Sequence, residues 1–144
     1  MDVSLLRQQI LRALDEARKD ASARRVTVDQ AGKAFDVFLE TIATPLMRQA
    51  AAVLRAEHQS FEVQTPGGSV RLAAEYAPQT FIELELDSSG AEPQVIGRVS
   101  LTRGRQGHVI EERPIAPGKA VADVTEDDVS RFLIAEVSKL VLKT

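Results

Sequence analysis

The sequence contains no cysteine and no tryptophan, one tyrosine and two histidines, and aromatic residues fill 4% of its 144 positions. The missing cysteines exclude disulfides, thiolate metal sites, iron–sulfur ligation and thiol nucleophiles together. Their absence fits a reducing compartment, and the expected location is the cytoplasm. So few aromatic side chains leave little surface on which a sugar could stack. No uninterrupted apolar run approaches the roughly 20 residues that a membrane span needs. The opening MDVSLLRQQILRALDEARKD lacks the basic start and solid apolar block of a secretory signal, so no membrane partner is expected. The formal charge of -3 is too small to steer the chain toward nucleic acid or an anionic surface. There is no HExxH, GxSxG or GxxxxGK[ST] frame, so no cofactor, metal or catalytic centre is expected.

What is present is ordinary in bulk, with 44% hydrophobic and 27% charged residues. A chain of this length forms one domain over residues 1–144 and buries about 70% of its unfolded surface without covalent staples. The order of its patterns predicts an α+β fold: an N-terminal helical hairpin, a four- to five-stranded antiparallel meander, and a C-terminal helix packed on one sheet face.

Apolar residues recur at helical spacing over about 3–23, where Val3, Leu6, Ile10, Ala13, Leu14, Ala17 and Ala21 lie along one side. Arg24-Arg25-Val26 reads as a turn, and Thr27 with Gln30 has the spacing of a capping box. A second helix is therefore predicted over about 28–57. Phe35, Phe38, Ile42, Leu46 and Val53 form one of its stripes, and Leu39, Ala43, Met47, Ala50 and Leu54 form another. A surface helix needs only about 100° of apolar arc. The excess predicts two neighbours, one of them a second copy of the chain. Phe35, Phe38, Leu39, Ile42, Leu46, Met47, Val53 and Leu54 are the candidates for self-association. Pro45 predicts a kink, with Thr41 placed to satisfy the disturbed backbone.

Beyond His58 the period changes from 3.6 to 2. Strands are predicted over about 60–65, 69–75, 80–86, 94–103 and 108–113, separated by Pro66-Gly67-Gly68, Asp87-Ser-Ser-Gly90 and Gly104-Arg-Gln-Gly107. Thr125 and Asp128 frame the start of a last helix over about 126–142.

The side chains able to do chemistry are scattered. His58 and His108 come from different elements, without metal-ligand spacing. Glu83 and Glu85 share a strand face about 7 Å apart, a separation usable in acid/base work, yet such alternation is also how a solvated sheet face looks. Glu126-Asp127-Asp128 suits a helix N-terminus. Gly67-Gly68 is followed by a strand and reads as a turn. The least bland group is basic: Arg71, Arg98, Arg103, Arg105 and His108, a candidate contact for an anion or a protein partner, with cross-strand Arg–Glu pairing as the structural alternative.

Three functions fit these readings. The leading one is a small non-enzymatic interaction protein, adaptor- or chaperone-like, that acts as a homo-oligomer. The second is a binding domain for a small apolar ligand held between helices and sheet, lined by Phe35, Phe38, Phe61, Phe81 and Phe132. The third is an enzyme using Glu83, Glu85, Arg98 and His108 on the open sheet face.

Overall fold

The N-terminal third of the chain is a helical rod. The structure, a computed structural model, describes residues 2–102 and 107–141. Helix α1 (Val3–Phe38), a π-helical turn (Leu39–Ala43) and helix α2 (Thr44–Ala56) follow one another without a break over 54 residues. This corrects the predicted helical hairpin and its two helices over 3–23 and 28–57. Arg24, Arg25 and Val26 include no residue that terminates a helix. Thr27 is not a cap, since its Oγ1 donates back to the Ala23 carbonyl at 3.1 Å, as a threonine does inside a helix. The N-cap is Asp2, whose side chain accepts from the Ser4 N–H at 3.1 Å.

Pro45 leaves its mark one turn upstream. It has no N–H to give, and the rod accommodates it with the π-turn, in which the Thr44 N–H reaches the Leu39 carbonyl. Thr41 Oγ1 donates to the Val37 carbonyl at 2.7 Å, supplying a side-chain bond within the same disturbed stretch. The rod ends in a Schellman motif. The Gln59 N–H returns to the Leu54 carbonyl at 2.8 Å and the His58 N–H to Arg55 at 3.1 Å, with His58 in the left-handed region at φ 63°. By length and composition alone this helix could cross a membrane, as could the core helix of many water-soluble domains.

Five strands then form one antiparallel sheet in sequence order: β1 (Phe61–Gln64), β2 (Ser69–Ala74), β3 (Ala77–Asp87), β4 (Gln94–Thr102) and β5 (His108–Pro114). Gly68, at φ 83°, makes the first hairpin possible, and Ser69 N–H closes it on the Pro66 carbonyl at 3.0 Å. The second hairpin is tighter than expected. Only Glu75 and Tyr76 turn the chain, and Pro78 lies inside β3 near its start, where a strand tolerates proline. A 3-10 turn (Val121–Asp123) leads to α3 (Glu126–Leu140).

Register separates the two faces of the sheet. Leu72–Ile82–Val99 and Val70–Leu84–Gly97 are cross-strand rows of the core face. Their side chains join Phe35, Phe38 and Met47 of the rod and Val129, Phe132 and Leu133 of α3 in one buried cluster. Gly97 is glycine for a packing reason: a Cβ there would stand 2.2 Å from the ring of Phe132. The alternate row, Arg71–Glu83–Arg98–Glu112, lies on the opposite face.

Candidate interaction surface

The open sheet face carries charge in a nearly closed circuit. Glu83, 3% exposed, accepts from Arg71 Nε at 3.2 Å and from Ser69 Oγ at 3.1 Å through one oxygen, while Arg98 Nη1 approaches the other at 3.4 Å. Arg98 also bonds Glu85 and donates through Nε to Glu112 at 2.8 Å. The Arg71 guanidinium caps the Phe81 ring at 4.0 Å. Burial pushes the Glu85 carboxyl upward and Arg98 opposes it, while the neighbouring Glu83 and Glu112 add to the rise. At Arg98 burial disfavours the charge, but the bond to Glu112 and the charges of Glu85, Glu112 and Glu83 outweigh it and raise the pKa. These direct cross-strand pairs turn the two arginines toward carboxylates rather than toward an external anion. Arg103 and Arg105 lie outside the described residues.

The remaining polar groups serve local structure. His108 begins β5 and places Nε2 2.9 Å from Ser100 Oγ, whose hydroxyl also bonds the Gln79 carbonyl. Ser100 is fully buried, so this Ser–His contact offers no open nucleophile. His58 is the αL residue that closes α2. Asp128 completes the capping box with Thr125 and takes the Lys119 ammonium at 2.8 Å. That bond, with the N–H of Thr125, holds its carboxyl down to about 2. Glu136 is desolvated beneath α3, yet the bond from Arg113 at 2.8 Å and the nearby Lys139 ammonium lower its pKa on balance.

The eight residues expected to mediate self-association divide sharply. Phe35, Phe38, Met47 and Leu54 are buried in this chain's own core, and Leu39, Ile42 and Leu46 are half-buried against it. The wide apolar arc expected over 28–57 spans the end of α1, the π-turn and α2; within it α2 contacts β1, β2 and α3, and the π-turn contacts β2 and α3. Of the eight, Val53 stands clear, 65% exposed. With Ile134 of α3 it borders a shallow apolar groove floored by Leu54 and Leu133. Four of the five phenylalanines offered as a pocket lining are packed into the same core cluster, while Phe81 lies beneath Arg71 on the other face.

A longer run of exposed apolar side chains lies on α1. From Val3 to Val26 every residue of α1 is exposed. This arm of roughly 24 residues extends about 36 Å. Along it Val3, Leu6, Ile10 and Leu14 are between 43% and 80% exposed. The spacing Val3–Leu6–Ile10–Leu14–Ala17–Ala21 follows a 3-4-4 repeat; the same phase then meets Arg25, Val28, Gly32 and Asp36 before it regains apolar residues at Leu39 and Ala43 in the core. Arg24 marks the boundary, with Nη2 3.4 Å from the carbonyls of Ser89 and Gly90. The sequence carried this signal, but a turn placed at Arg24–Val26 folded the stripe back onto its own chain.

No family model, curated protein or solved structure matches this chain.

Proposed function

We propose that the protein is a non-enzymatic interaction module that acts as a homo-oligomer, adaptor- or chaperone-like in character, with the α1 arm as its assembly element. One observation carries the reading. A compact monomer of 15.7 kDa exposes about 7,300 Å². This chain exposes 9629 Å², an excess of roughly 2,300 Å² over that scaling. Stable interfaces bury on the order of 800 Å² per partner, so the excess is large enough to supply one. The arm, exposed along its whole length, contributes to that excess, and one side of it carries the apolar stripe. An exposed helix with an uncovered apolar stripe is stabilised by packing against another surface rather than by propensity alone.

The test is light scattering on the full chain and on the triple variant Leu6→Glu/Ile10→Glu/Leu14→Glu. The full chain at about 50 μM is expected to have a mass that is a multiple of 15.7 kDa. The variant is expected to fall to the single-chain mass with its strand content intact. A full chain that stays monomeric at that concentration overturns the proposal.

A further inference from the structure

We propose that the arm pairs in parallel with the arm of a second copy, over Val3–Ala21; this rests on the self-assembly reading above and specifies its geometry. The stripe supplies the contact, and the charges beside it supply the orientation. At about 100° per residue, Arg7, Arg18 and Arg25 fall roughly 55–80° to one side of the stripe's midline. Asp2 and Asp20 fall roughly 80° to the other side, with Glu16 behind them; Arg24, about 45° to that side, is engaged by the Ser89 and Gly90 carbonyls of its own chain. Asp15 and Lys19, joined at 3.3 Å, occupy the far face, which faces water in any pairing.

One flank is thus basic and the other acidic. In a parallel pair related by a two-fold axis along the helices, each flank meets the opposite flank of its partner, so Arg7 and Arg18 face Asp2 and Asp20 of the second copy. In an antiparallel pair each flank meets itself, and arginines line up with arginines. The two arrangements bury the same stripe, so charge decides between them. The 3-4-4 spacing runs for one full cycle and most of a second, from Val3 to Ala21, and favours a straight or right-handed pair over a left-handed coil. The arm ends where Arg24 grips the β3–β4 loop, so the contact begins to diverge there and leaves each domain body outside the pair.

The absence of native cysteine makes the test direct. Leu6→Cys and Ala21→Cys are prepared singly in the full chain and oxidised with diamide, and products are read on a non-reducing gel, with Arg12→Cys on the outer face as the control. Each stripe variant alone is expected to form a covalent dimer faster than the control. Cross-linking confined to a mixture of the two variants means antiparallel arms, overturning the orientation while the self-assembly reading stands. An oligomer by light scattering without any stripe cross-link means assembly through another surface and overturns the arm pairing alone. A monomer overturns both readings, including one that instead binds vesicles of anionic phospholipid. A second readout follows the charges: Arg7→Glu/Arg18→Glu is expected to weaken dimerisation about tenfold, and adding Asp20→Arg is expected to restore part of it. No restoration, with helicity unchanged by circular dichroism, counts against the charge-set orientation.

Discussion

Replacing Gly97 by alanine tests the packing that seats α3. The added methyl would stand 2.2 Å from Cζ of Phe132 and 2.7 Å from both Cε atoms, so the ring must retreat by about 1 Å or more to reach ordinary contact. It has little room to do so. Phe132 is 2% exposed, and the Arg113 guanidinium lies 4.6 Å from its centroid while bonded to Glu136. Overpacking of a well-filled core costs about 1–3 kcal/mol. With both sides of the ring held, the upper end, about 3 kcal/mol, is expected. Phe132→Leu removes the ring tip and with it the clash, so the double variant is expected to recover about 2 kcal/mol relative to the sum of the singles. Urea unfolding followed by circular dichroism measures all four corners of the cycle, at one fixed protein concentration because assembly shifts the midpoint. Gly67→Ala serves as the control, because its Cβ meets nothing within 4 Å. A Gly97→Ala protein within about 0.5 kcal/mol of the parent, the range of an ordinary surface substitution, or an additive cycle, refutes the packing argument.

Two further predictions concern charge. Glu83→Gln leaves two arginines facing each other across a 4%-exposed side chain; because both arginines keep partial water contact, a loss of about 2 kcal/mol is expected in denaturant unfolding rather than the 3–5 of a fully buried pair. A loss no larger than an ordinary surface substitution produces means that the circuit contributes nothing to the sheet. Asp128 has its pKa lowered from 3.8 to about 2, so its contribution is fully present above about pH 4 and is lost as the pH falls from there toward 2. That contribution is at most about 2 kcal/mol, reduced by the exposure of Lys119. Asp128→Asn is expected to lower the thermal midpoint at pH 7 and to flatten its decline between pH 4 and 2. An unchanged acid limb contradicts this.

The sheet was legible because its signal is local. Alternation put Ile82, Leu84 and Leu86 on one face and Phe81, Glu83 and Glu85 on the other, and short connections between strands fixed neighbours as antiparallel partners. The same parity placed Arg71 and Arg98 beside Glu83 and Glu85, and the cross-strand pairing that competed with anion binding is the arrangement observed. The rod was less legible, because a polar doublet followed by Thr27 and Gln30 looks like a helix end when only spacing is considered. Arginine is a good helix former, and a threonine hydroxyl can bond its own helix as readily as cap one. The apolar breadth over 28–57 calls for more than one neighbour, and the sheet and α3 both contact this stretch. Which neighbours they are is a long-range fact: α3, at the other end of the sequence, covers the side that the sequence left to a second copy. Apolar surface left uncovered shifted to the arm, which a predicted hairpin had hidden.

Amide hydrogen exchange in the arm, followed across a dilution series, tests the central claim most directly. Backbone amides between Leu6 and Ala21 are expected to be protected at high protein concentration and to lose protection on dilution, while those of β3 and β4 stay constant. Arm amides that exchange rapidly at every concentration contradict the account, because the stripe would then have no partner to cover it.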